Sequence, residues 1–159
     1  MSIAALIVWI LTALGGLTLL AIWLAGGGLR QQPTHLSRFR APVVFGHMGL
    51  AALGLILWIL YMTLNTVGWG WGALIAAVAA AVLGLLMFTA WRASGGLRST
   101  ASPRITGLTP GQRAAARTGG MLGTEVPAEH RFPVALVAGH GLLAALTILL
   151  VLLVLLTPL

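Results

Sequence analysis

Four long apolar runs divide the chain, at residues 3–24, 43–64, 73–91 and 134–156, and the polar residues collect between them. Each run is close to the roughly 20 residues that carry a helix across a bilayer core. None alternates polar and apolar positions over about 10 residues, the pattern of a membrane β-strand, so a barrel is excluded. The pattern predicts an all-α membrane protein with four transmembrane helices. A short outer turn is expected at residues 65–72 and a long loop at 92–132. The first run lacks a preceding basic residue and outlasts the apolar stretch of a secretory signal, so it is expected to stay as a helix.

The same runs contain a repeat. WLAGGGLR (23–30) closes the first and WRASGGLR (91–98) the third, and Gly16–Leu17 matches Gly84–Leu85 upstream in the same register. The second and fourth runs open on GHMGLAALGLIL from Gly46 and GHGLLAALTILL from Gly139. The sequence therefore predicts two helix hairpins built on one plan, 1–64 and 73–159. Odd and even helices keep their direction in both copies. The repeat is then parallel, related by a pseudo-twofold along the membrane normal, and should close into a four-helix bundle.

Composition strengthens the membrane reading. Of 159 residues, 59% are hydrophobic and 7% charged, with a mean hydropathy of +1.03; a soluble domain has about a quarter charged. The net charge of +7 comes from arginines confined to two connections. Arg30, Arg38 and Arg40 follow the first helix; Arg92, Arg98, Arg104, Arg113, Arg117 and Arg131 follow the third. In an up-and-down chain those connections lie on one side. The positive-inside rule then puts both arginine-bearing loops in the cytoplasm and both termini outside the cell membrane. Attraction to anionic lipid headgroups follows from the same charge, and the lack of basic–aromatic interleaving argues against nucleic acid.

The long loop is rich in Gly, Ser, Thr and Pro over residues 93–107, which predicts little regular structure there. After it, Thr109, Pro110 and Gln112 form a capping box that predicts a short helix, stopped by Gly119–Gly120. Its face would meet lipid headgroups, a partner subunit or solvent. Trp23 and Trp91 on one side, and Trp9, Trp58, Tyr61, Trp69 and Trp71 toward the other, are expected to sit as headgroup-level belts.

Candidate chemistry is sparse. With no cysteine there can be no disulfide, thiolate metal site or covalent c-type haem. The two carboxylates, Glu125 and Glu129, both fall in the loop, and no nucleotide-binding or zinc-protease motif occurs. Catalysis by this chain alone is not expected. The remaining ionisable groups in the spans are His47 and His140, at the same point of the repeat. Ionisable side chains inside a bilayer usually point inward and have a function. Helices two and four occupy opposite corners of the bundle, so the two rings can face one another. His35 and His130 precede the prolines of the loops and are expected to be solvated.

Three chemistries suit such a pair: one low-spin haem held by both nitrogens, a divalent metal or proton site, or structural hydrogen bonds that pin helix packing. The second is poorly served, because zinc asks for about four ligands and the spans offer no carboxylate. The arrangement of Gly46–His47 and Gly139–His140 on alternate helices resembles the cytochrome b class of membrane electron carriers. That resemblance implies one b haem with His47 and His140 as iron ligands, Gly46 and Gly139 (with Gly49 and Gly141) making room for the macrocycle, and nearby arginines for its propionates. The chain departs from the diheme members, which carry two ligands per helix; one haem at most would fit. Such a protein would pass electrons between a cytoplasmic-side donor and a quinone or partner subunit. The alternative is a non-catalytic membrane scaffold or accessory subunit with structural histidines. Either would work among membrane lipids with other subunits or as a homo-oligomer.

Overall fold

The computed structural model describes residues 1–95 and 127–157, and these are all-helical. Helix α1 spans Ser2–Ala25, α2 Ala41–Leu64, α3 Val67–Ala93 and α4 Val134–Leu156; a single 3-10 turn, Ala128–Arg131, precedes α4. All four long helices are long and apolar enough to cross a membrane. Leu, Ile and Val side chains such as Ile7, Leu14, Ile56, Val78 and Leu142 stay exposed along their outer faces. In water such a surface would exceed by far the patches a soluble monomer shows; in a bilayer it meets lipid at no cost. The short helix expected from Thr109 lies outside the described residues.

The helix limits follow from local chemistry. Pro42 sits in the first turn of α2, where its missing N–H costs no bond, and Asn65 ends that helix in a left-handed conformation at φ 51°. Gly27 and Gly95 adopt positive φ just past the ends of α1 and α3, at equivalent places in the repeat. One expectation needs correction. The outer turn is not residues 65–72: α3 already begins at Val67, so GWGWG (68–72) is helical. Gly70 is buried there, and a Cβ on it would run into the side chains of Leu155 and Tyr61. Close packing outweighs the low helix propensity of glycine, a preference worth only about 1 kcal/mol.

The helices stand at the corners of a square. The most extensive packing is α2 on α3 and α1 on α4, with lighter contacts along α3/α4 and α1/α2, so each helix leans mainly on one from the other half of the sequence. Two core layers result. One holds Ala5, Trp9, Trp58, Ala73, Leu74, Ala77 and Val151; the other, at the arginine-bearing end, holds Trp23, Phe39, Val44, Trp91, Ala128 and Phe132. Positions paired by the repeat share environments: Ala5 with Ala73, Trp23 with Trp91, Phe39 with Phe132 and Trp58 with Val151 are all buried. The Phe39 and Phe132 rings meet each other, 5.7 Å between centroids.

The tryptophans do not form two complete belts. Trp69 and Trp71 are exposed, but Trp9, Trp23, Trp58 and Trp91 lie in the core. A buried indole needs a hydrogen-bond acceptor for its N–H. Trp58 Nε1 donates to the Ser2 carbonyl, Trp23 Nε1 to Ser37 Oγ and Trp91 Nε1 to the Glu129 carbonyl.

Candidate haem-ligand pair

Between the two core layers the structure brings His47 of α2 and His140 of α4 together. Their rings face each other with centroids 6.1 Å apart and planes inclined at 71°. Each is tied to a different neighbour. His47 Nδ1–H donates to the carbonyl of Ala80 in α3 at 2.7 Å, and His140 Nδ1–H to the carbonyl of Thr12 in α1 at 3.0 Å. Thr12 and Ala80 are equivalent positions of the repeat, so one bond is made twice.

A helical carbonyl is normally screened by the side chain one turn further on, because every Cβ leans toward the N-terminus over the preceding turn. Here the residues four beyond Thr12 and Ala80 are Gly16 and Gly84. A Cβ on Gly16 would stand 3.0 Å from His140 Cε1, and one on Gly84 would stand 3.1 Å from His47 Cε1. The missing side chains uncover the carbonyls and let the rings lie against the backbone. Thus the glycines that matter to the rings are on the odd helices. Gly46 and Gly139 precede the histidines on their own helices: a Cβ at Gly46 would touch only Leu83 at 3.5 Å, and at Gly139, as at Gly49 and Gly141, it would meet nothing within 4 Å. Gly16 and Gly84 were visible in the sequence as a matched pair of the repeat; their meaning required knowing which helix each histidine leans on.

The tautomer follows from these bonds. A carbonyl only accepts, so Nδ1 carries the proton in both rings, and a neutral imidazole then presents Nε2 as an unprotonated lone pair. Neither Nε2 makes a hydrogen bond among the described residues. In its neutral form the pair is two oriented lone-pair donors in an apolar bundle, the arrangement in which a second bond from the ring fixes a metal-binding nitrogen. No group of three or more metal-ligating side chains occurs among the described residues, so the pair offers two nitrogens and no cage. The residue whose carbonyl His140 engages also bears a hydroxyl, and Thr12 Oγ1 lies 3.2 Å from Thr147 Oγ1. The other half carries Ala80 and Gly54 at the equivalent places, which makes the two histidines unlike in their surroundings.

Of the loop histidines, His35 is exposed as expected, but His130 is half-buried beneath the arginine-bearing end. Its neighbour Glu129, read from the sequence as a loop carboxylate, is completely buried. Its Oε2 accepts from the Ser37 hydroxyl and its Oε1 from the Arg38 amide, both at 2.8 Å. Nothing in the local sequence distinguished Glu129 from a solvated acid.

The fold and this pair define a class: a four-helix bundle of membrane-spanning type with two facing histidines in its interior. Comparison with known proteins adds no name to that class, since the chain matches no protein-family profile, no curated protein and no solved structure.

Proposed function

We propose that the chain is an integral membrane electron carrier that binds one b-type haem between His47 and His140. The observation that carries this reading is the pair itself: two rings on diagonal helices, each with Nδ1–H engaged by a carbonyl and Nε2 without a hydrogen-bond partner among the described residues. His47 and His140 would hold the haem iron through Nε2, and their rings lie with centroids 6.1 Å apart. Small residues lie directly against the rings on α1 and α3, namely Thr12, Gly15, Gly16, Ala80 and Gly84.

When bound, the haem supplies the one-electron couple. The chain supplies everything else. Ala80 and Thr12 hold the imidazole tautomers and orientations through their carbonyls, and the two core layers exclude water from the space between the helices. The exposed Arg30, Arg38, Arg40, Arg92 and Arg131 gather at the end of the bundle nearer the histidines. By the positive-inside rule this end faces the cytoplasm, so electrons would enter from a cytoplasmic-side donor and pass to a quinone or a partner subunit.

A second reading has its own observation. Two imidazoles bonded to backbone carbonyls of neighbouring helices can serve as packing pins in a membrane scaffold. The absorption spectrum of the detergent-purified protein, produced with ample haem, separates the two. Low-spin haem bands are expected, lost in His47→Ala and in His140→Ala and kept in His35→Ala. A colourless, folded wild-type preparation would leave the scaffold reading standing.

A further inference from the structure

Helices α2 and α4 stand on a diagonal of the bundle and do not pack extensively on each other. Yet the separation of His47 and His140 depends on how these two helices are placed. Something must set that distance, and the arginine-bearing end contains a built connection between their starts. Ser37 and Arg38 lie just before α2, and Glu129 lies just before α4. The Ser37 hydroxyl donates to Glu129 Oε2 and the Arg38 amide to Glu129 Oε1.

Both sides of this connection are stiffly joined to their helices. Gln32 accepts from the Ala41 amide and donates to the Phe39 and Gly28 carbonyls, which fixes the path from Ser37 into α2. On the other side the 3-10 turn, the Phe132 amide bonded to the Glu129 carbonyl, and Pro133 lead directly into α4. The odd helices are attached at the same point, because Trp23 of α1 donates to Ser37 Oγ and Trp91 of α3 to the Glu129 carbonyl. A wholly buried carboxylate is costly to desolvate and loses much if its donors go. Its place at the junction of all four helices suits a part that fixes geometry.

We propose that Glu129 is a positioning residue for the histidine pair: through Ser37 and Arg38 it clasps the starts of α2 and α4 and thereby sets the distance between His47 and His140. The consequence for ligand binding rests on the haem reading; the clasp itself does not. Its action is on geometry, because Glu129 touches neither ring.

The chain has no cysteine, so labels can be placed at will. Spin labels on Met48→Cys and Leu142→Cys, both exposed positions beside the histidines, report the α2–α4 separation with or without haem. A narrow distance distribution is expected in the parent. Ser37→Ala and Glu129→Ala should broaden or shift it, and Glu129→Gln, which keeps the side-chain length and one acceptor for the two donors, should restore it in part. In haem-loaded protein the same two alanine variants should convert part of the low-spin signature to high-spin, with glutamine again restoring it in part. Should Glu129→Ala fail to fold, Ser37→Ala alone decides. A distribution left unchanged by the alanine variants that fold, or broadened equally by Glu129→Gln and Glu129→Ala, overturns the clasp. A broadened distribution, rescued in part by glutamine, in protein that binds no haem keeps the clasp and removes the haem reading.

Discussion

At the scale of single residues, each histidine depends on an absence four positions along a neighbouring helix. Gly84 exposes the Ala80 carbonyl to His47, and Gly16 does the same for His140 at Thr12. Enlarging either glycine forces the ring away from the carbonyl and releases Nδ1, so the tautomer is no longer fixed. Overpacking of this kind costs about 1–3 kcal/mol. Gly84→Val should therefore lower the thermal midpoint of the detergent-solubilised protein and weaken the low-spin spectrum. Gly68→Val, at the far end of α3 with open space around its Cβ, should do neither. A Gly84→Val protein with parental melting and spectrum would show that the ring does not need this contact.

Among the elements, the arginine-bearing end is where the helices are joined by polar bonds. The 3-10 turn Ala128–Arg131 is short, but it receives the Trp91 indole at its Glu129 carbonyl at 3.1 Å, deep in the core. Trp91→Phe keeps an aromatic ring and removes that donor, leaving the carbonyl with the Phe132 amide alone, a loss of about 0.5–1.5 kcal/mol. Trp69→Phe, at an exposed position of α3, should change stability by less than about 0.5 kcal/mol. Denaturation by a stepwise increase of anionic detergent, followed by tryptophan fluorescence or circular dichroism, compares the two. Equal midpoints would mean that the turn does not contribute to holding α3.

For the molecule as a whole, the central expectation is its orientation across the membrane. Eight of the nine arginines fall in the two connections that an up-and-down bundle places on one side, Arg92 lies in the last turn of α3 at that same end, and no basic side chain lies at the other end. With those connections inside, a cysteine introduced at Ser99 should resist a membrane-impermeant thiol reagent applied to intact cells, while one at Asn65 should react. Labelling in the reverse order would invert the topology, and would move the proposed electron donor to the outer side.

The four spans were legible in the sequence because crossing a bilayer demands long, uninterrupted apolar helix, and that demand is written residue by residue. The matched register of the two halves, with His47 and His140 at one point of it, could be read for the same reason, since a duplicated register needs only counting. What tertiary structure alone decided were the partners across the bundle. Nearly uniform apolar helices have no strongly polar face, so sequence cannot say which side of α1 or α3 turns inward. Gly16 and Gly84, instead of the glycines beside the histidines, therefore emerged as the contacts of the rings, and four tryptophans expected at headgroup level proved to be core. Glu129 was hidden for a different reason: its burial comes from donors about ninety residues away in the chain, Ser37 and Arg38. Only folding, which brings the starts of α2 and α4 together, makes a loop carboxylate into a buried one.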